Sequence, residues 1–334
     1  MNNEPGGNAV VAFDRDFRGR LTPAGTYPTG GLGTGGEIDP LASQGSLILS
    51  RNKRWLFAVN AGSNDISVFR VRRHHLQLTD RYDSGGAFPT SLTLFHNVLY
   101  VLNAGGNGGS PNITGFRLTR HGSLIPIADS TQPLSGGGFH QVGFTPHGDA
   151  LVVTRGGGNA ASEILVFAVD EDGRAEGDPS ITPSSGAVPF GFFFDWRGHL
   201  LVSEAGSGAV STYEVLDDNT LSVISASVAN GQNATCWIAG TWFGAVFTAN
   251  TASDTISAYK IRARDGAIRL GEADAGRGGG PIDMATTFSG RFLYVLNAND
   301  GTVGAFRILP HGGLKSLGAA GQLSVPYAQG IAVR

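Results

Sequence analysis

Chemistry in this chain has to come from few residues, because only 15% of it is charged. Two charges stand out by position. Six strand-like segments end at equivalent places, filled by Asn60, Asn103, Arg155, Glu204, Asn250 and Asn297. Four of the six are Asn, whose side chain caps the turn that follows. Arg155 and Glu204 replace it in adjacent segments with opposite charges. A second set of positions opens the strand before each of these. It reads Thr90-Ser91, His140-Gln141, Phe190-Gly191, Thr235-Cys236, Ile282-Asp283 and Tyr327 to Gln329. His140 enters the same sector as Arg155 and Glu204.

That trio suits proton transfer and anion binding. Glu204 would be a general base or would orient His140, and Arg155 would hold a substrate carboxylate or an oxyanion. The same two charges also read as a structural ion pair between Arg155 and Glu204, stitching neighbouring units together. Phe190, Gln141, Trp237 and Gln329 would line a substrate pocket beside them. Cys236 is a candidate there too, though a lone buried Cys is more often a small hydrophobe. Asp283 would face the same space, or anchor a turn.

Familiar catalytic motifs are lacking. Gly31-Leu32-Gly33-Thr34-Gly35-Gly36 has dinucleotide-loop spacing, but it lies in a long loop with no helix after it. No G-x-S-x-G elbow occurs, and neither H-E-x-x-H nor a Cys/His pair at zinc spacing is present. Asn112-Ile113-Thr114 and Asn233-Ala234-Thr235 are sequons that matter only in a secreted chain. No metal and no cofactor is expected.

What must position the candidate residues is a repeat. Trp55 to Phe69 reads as strand, Asn/Gly turn and strand, and similar units end at Phe116, Phe167, Tyr213, Tyr259 and Phe306. The spacings between these ends are 47, 51, 46, 46 and 47 residues. Apolar and polar residues alternate within each strand, and a short outer strand such as Leu221 to Ala226 follows each aromatic. Four strands per unit of this length is the arithmetic of a β-propeller. A further copy is split. Asn8 to Phe13 keeps the aromatic end, and Gln329 to Arg334 opens the same blade, whose second strand is short or absent. The expectation is an all-β, seven-bladed β-propeller of four-stranded antiparallel blades, one domain over 1–334, with its ring closed by the N- and C-terminal strands.

The units Phe57-Ala58-Val59-Asn60-Ala61-Gly62 and Leu293-Tyr294-Val295-Leu296-Asn297-Ala298 resemble the YVTN-type repeats of the lactonase propeller family. That family includes bacterial 6-phosphogluconolactonase and the fungal carboxymuconate lactonising enzyme. Phe139-His140-Gln141 through Thr145-Pro146-His147-Gly148 resembles the family's PHQ…F-P-D-G segment, which implies a site role for His140. Ser203-Glu204-Ala205 resembles its NE element and implies the same for Glu204. The chain departs from the pattern where the family has an Arg in a PRH-like element. Here Pro189-Phe190-Gly191 stands, so an anchoring charge is replaced by an apolar wall, and Arg155 would be the substitute. Phe139 likewise replaces the usual Pro.

Composition narrows the partners. The net charge is −3 and the only basic cluster is Arg72-Arg73-His74-His75, so a nucleic acid is not expected. One cysteine forms no internal disulfide, and no run of 18 apolar residues could cross a membrane. The polar start, Met1 to Pro5, is not a signal peptide. A cytoplasmic monomer acting on a small molecule is expected, or a secreted one if a leader has been removed.

Three functions follow. The first is a lactonase-like hydrolase using His140, Glu204 and Arg155. The second is a lactonising enzyme, isomerase or cyclase on an apolar substrate. The third is a propeller that binds without catalysis.

Overall fold

The computed structural model describes residues 1–334 except 107, 311, 322 and 324–326, and the side chains of 273–275 also lie outside the description. β1 (Ala9–Arg15) and β2 (Leu21–Pro28) form a two-stranded sheet. β3 (Leu47–Leu49), β4 (Trp55–Asn60), β5 (Asp65–Val71) and β6 (Leu76–Asp83) form the next. It is followed by β7 (Pro89–Phe95), β8 (Val98–Asn103) and β9 (Asn112–Leu118), whose outer edge is shared by β10 (Leu124–Pro126) and β11 (Gln132–Pro133). A fourth sheet holds β12 (Phe139–Phe144), β13 (Ala150–Arg155), β14 (Glu163–Val169) and β15 (Ala175–Pro183). The fifth holds β16 (Pro189–Phe194), β17 (Leu200–Glu204), β18 (Ala209–Val215) and β19 (Leu221–Ala229). β20 (Thr235–Gly240), β21 (Ala245–Asn250), β22 (Thr255–Ile261) and β23 (Ile268–Arg277) make the sixth. β24 (Pro281–Thr286), β25 (Phe292–Asn297), β26 (Thr302–Ile308) and β27 (Leu314–Ala320) make the last.

Every pairing is antiparallel between sequence neighbours, apart from β11 on β9, which is also antiparallel. The first strand of each sheet packs on that of the next: β3 on β7, then β12, β16, β20 and β24 in turn. β2 packs against both β6 and β27, so the two-stranded sheet lies between the second sheet and the last. This is an all-β propeller of antiparallel blades. Among the described residues the only helical element is a 3₁₀ turn at Thr251–Ser253, and no helix is long and apolar enough to cross a membrane.

Burial is graded from the axis outward. β4 and β25 are buried at every residue, whereas β6 and β19 are largely exposed. The second strand is covered on both faces by neighbouring blades, so apolar residues run through it without alternation. The repeated aromatics Phe69, Phe116, Phe167, Tyr213, Tyr259 and Phe306 are all buried. Each such ring stabilises the fold by about 1.5–3 kcal/mol through burial, and most of the cohesion between blades is of this kind.

Candidate functional site

The residues nearest the axis owe their placement to a repeated irregularity. In five sheets the first strand carries a β-bulge against the second, close to its start. The skipped residues are Thr90, His140, the pair Phe190 and Gly191, Cys236 and Asp283. A bulge leaves its extra residue unpaired and re-aims its side chain. Asp283 takes a left-handed backbone to do so, with φ 49°, which Asp tolerates better than most residues.

These bulges converge on the loop joining β2 to β3. His140 Nδ1 lies 2.7 Å from the Ala42 carbonyl. Ser43 donates to the Thr90 carbonyl at 2.8 Å, and its own carbonyl accepts from Trp237 Nε1 at 3.0 Å and Gln329 Nε2 at 2.9 Å. The Gln44 side chain binds both the N–H and the C=O of Ile238 at 3.0 Å, while its backbone carbonyl accepts from Ser91. A Cβ on Gly191 would collide with the Gln44 side-chain oxygen, which explains the glycine. A segment held by the inner strands of several blades at once sits on the ring axis. Residues 39–44 therefore fill the hub.

Two acids border this plug. Asp39 Oδ1 accepts from Gln329 Nε2 at 2.9 Å. Burial pushes its carboxyl up to about 8, against hydrogen bonds from Gln329 and Ser43. The residue nonetheless keeps part of its surface in solvent. Asp283 accepts from the Met284 N–H at 2.8 Å and the Ile331 N–H at 3.2 Å, and burial pushes it up to about 7. The Asp283 charge adds to the rise at Asp39. Gln329, bonded to Asp39 through Nε2, has its Oε1 buried with no hydrogen-bond partner.

Aromatic rings form one wall. His140 stacks on Phe190 with centroids 4.3 Å apart, and Phe190 meets Trp237 edge-on at 5.1 Å. His140 Nε2 also lies 3.0 Å from the Gly156 carbonyl. Burial lowers the imidazole pKa, while the two carbonyls act to raise it. Each ring nitrogen faces a backbone carbonyl, and the neutral ring donates to only one of them at a time, so His140 ties the plug to its blade.

The expected trio is not assembled. Arg155 pairs with Glu163 at 2.8 Å, its register partner on β14, and donates to the Gly137 carbonyl. Glu204 is fully buried and accepts from Ser211 at 2.5 Å, Ser227 at 2.7 Å and Ser184 at 3.3 Å. Neither the Arg155–Glu204 pair between blades nor a Glu204–His140 contact forms, because each charge is satisfied within its own blade. The ring Asn residues explain the pattern. Asn60 and Asn250 donate to Ser67 and Ser257 on their neighbouring strands at 2.8 Å, and Glu204 reverses that bond by accepting from Ser211. Gln141 is likewise spent, holding the N–H and C=O of Phe192 at 2.7 and 3.0 Å as a stitch to the next blade. Cys236 is buried, and burial pushes its thiol well above the usual range.

Over residues 49–329 the sequence matches the family described as "Lactonase, 7-bladed beta-propeller". The chain belongs to this lactonase propeller family. No curated protein matches it. Among solved structures, a putative 6-phosphogluconolactonase from Bacteroides fragilis is 19% identical, with TM-score 0.71, covering 94% of this chain and 91% of its own. The periplasmic gluconolactonase of Pseudomonas aeruginosa is 18% identical, with TM-score 0.72, covering 94% and 92%. A streptogramin B lyase is 12% identical, with TM-score 0.59, covering 87% of each. At these identities the likeness is one of fold.

Within this lactonase propeller the hub thus gathers His140, Phe190, Cys236, Trp237, Asp283 and Gln329, and excludes Arg155 and Glu204. The residue that sequence reasoning missed is Asp39. It follows the glycine-rich stretch set aside as a failed dinucleotide motif, and no repeat position marks it. Its one local signal is the Asp39-Pro40 step, a turn former. Among the described residues no three His, Cys, Asp or Glu side chains are grouped to hold a metal ion.

Proposed function

We propose that this lactonase-family chain acts as a monomeric hydrolase of one domain over 1–334, opening a small-molecule lactone at the end of the plugged hub where Asp39 keeps part of its surface in solvent. The ring is read as seven sectors, with β1, β2 and the two terminal segments making the seventh. The acid–base work is assigned to Asp39 and Asp283. The supporting observation is the pair itself: two carboxyls raised to about 8 and about 7, with Gln329, whose Oε1 is buried and unpaired, bonded to Asp39. Near neutral pH such a pair holds one proton and lacks another, the state that general acid–base catalysis needs. The ionised member takes a proton from the attacking water. The protonated member gives one to the ring oxygen as the acyl C–O bond breaks, leaving a hydroxy acid. His140, Trp237 and Gln329 hold the 39–44 loop in place. The test is lactone turnover by wild type, Asp39→Asn and Asp283→Asn.

The aromatic wall of His140, Phe190 and Trp237 favours a second reading, an isomerase or cyclase moving a proton on an apolar substrate with the same two acids. It predicts turnover without net uptake of water, which product mass distinguishes.

A further inference from the structure

The fold sorts charge that the sequence scatters. Neighbouring strands of each sheet are antiparallel, so the turns between first and second strands and between third and fourth strands share one end of the blades. The hub residues His140 and Asp283 lie at the other end, where first strands begin. The turns pack on one another from blade to blade: a Cβ on Gly122 would meet the Trp55 ring, one on Gly173 Val98, and one on Gly266 His199. The chain has 24 Lys and Arg residues and a net charge of −3. All of these cations except Arg81, Arg155 and Arg277 lie at the turn end, on the turns, on the strand ends beside them or, for Arg334, against the Arg72 carbonyl.

Acids at this end gather on one side of the ring, where Asp170-Glu171-Asp172 and Asp217-Asp218 form the outer turns of the fourth and fifth sheets. The opposite arc runs from the sixth sheet through the last and the two-stranded sheet to the second. Its acids at this end are Asp14, Asp16 and Asp265, with Asp80 and Glu272 midway along the outer strands. Asp16 caps its own turn by accepting from the N–H groups of Arg18 and Arg20, and Asp265 is paired with Arg262. Cations crowd the same arc. Arg51-Asn52-Lys53-Arg54, Arg72-Arg73 and Arg262-Ala263-Arg264 are all exposed.

Exposed aromatic rings occupy this arc too. Phe17, Trp242, Phe243 and Phe288 stand on its turns, and Phe17 is 78% exposed, Trp242 65% and Phe288 89%. Trp242 meets Phe243 edge-on at 5.5 Å and donates to the Ser289 carbonyl of the next blade at 3.4 Å. Lys53 Nζ lies 5.8 Å from the Phe288 ring centroid, and the Arg18 guanidinium stands 5.1 Å from that of Phe17. Apolar rings gathered on one surface mark an interaction site. Rings beside cations are the composition of a bilayer interface, where the ring enters the headgroup layer and the cation meets lipid phosphate. A nucleic acid duplex offers the same phosphates but no apolar layer for Phe17 and Phe288.

We propose that this arc docks on the surface of an anionic lipid bilayer, with Phe17, Trp242, Phe243 and Phe288 in the interface and the surrounding cations on lipid phosphates. The docked propeller keeps Asp39 and Asp283 at its far end, so docking and lactone turnover are independent.

The test compares vesicles of phosphatidylcholine alone with vesicles of equal parts phosphatidylcholine and phosphatidylglycerol, by co-sedimentation and Trp emission. Trp55 and Trp237 are buried while Trp196 and Trp242 are exposed at the turn end, so a blue shift reports on this surface. Binding is expected to be at least about tenfold tighter to the anionic vesicles, and to fall by at least about tenfold between 0.1 and 1 M salt. Lys53→Glu and the pair Trp242→Ala, Phe288→Ala each weaken it about fivefold or more, with circular dichroism melts confirming that the variants fold. Should Lys53→Glu not fold, Arg264→Glu replaces it. Trp emission that anionic vesicles leave unchanged overturns the proposal, as does binding that survives the aromatic substitutions undiminished. Tighter retention of duplex DNA than of anionic vesicles also overturns it and assigns the arc to nucleic acid.

Discussion

Arg155 Nη1 lies 2.8 Å from Glu163 Oε2, across adjacent strands of one blade. Each side chain keeps about a fifth of its surface in solvent, 20% and 23%. The pair therefore belongs with exposed bridges worth about 0.2–1 kcal/mol. Glu163→Gln is expected to cost that much in urea melts at low salt, to cost less at 1 M salt, and to leave turnover unchanged. A turnover loss above tenfold would return Arg155 to the chemistry.

Glu204 is predicted to be structural. Glu204→Ala strips an acceptor from three serine hydroxyls and opens a cavity, a loss of about 2–4 kcal/mol. Glu204→Asn restores the residue found at four equivalent positions and is expected to fold with activity within twofold of wild type. Turnover abolished in a folded Glu204→Asn protein contradicts this assignment.

The two raised acids contribute to the pH dependence with one sign. Carboxyls raised to about 8 and about 7 stay protonated in the native state while the unfolded chain ionises near its ordinary value. The native state then binds more protons, so stability falls as pH rises from about 4 to 8. Met1 works the other way. Its amine, lowered to about 5, lets stability rise between about 5 and 8. The His140 imidazole, which burial also lowers, acts in the same direction as the amine, so Asp39→Asn, which removes one of the two downward contributions, is expected to make stability fall less, or rise more, as pH increases. Thermal melts from pH 4 to 9 check this. A slope unchanged in Asp39→Asn would show that this carboxyl is ionised in the native protein.

Cys236 is expected to be inert. Its raised thiol and burial keep it from forming a thiolate. A native protein that reacts with a thiol reagent as fast as the unfolded chain would contradict this, and Cys236→Ala is expected to keep full turnover.

The propeller was legible because its signal is repeated. Each blade restates the same alternation and the same Asn and aromatic positions, so no single substitution hides it. The first-strand residues His140, Phe190, Cys236 and Asp283 occupy equivalent positions of that repeat, each at a bulge in the register with the second strand. The partners of Arg155 and Glu204 are not legible from charge alone, because equivalent positions of adjacent blades suggest a pair while the bonds run within each blade. Register alone, which sets Asn60 against Asp65 and Arg155 against Glu163, carried the answer. Asp39 was hidden because a loop that crosses the hub once has no repeat to give it meaning. Its neighbours on the axis lie hundreds of residues away in sequence, as Gln329 does.

The chemistry proposed at the hub rests on Asp39 and Asp283. The most direct measurement is a pH-stat assay of a lactone panel on wild type, Asp39→Asn and Asp283→Asn, each shown to be folded. The account predicts turnover by wild type, with a bell-shaped pH profile centred near neutrality and a loss of at least 100-fold in either variant. Turnover that survives both substitutions would contradict it.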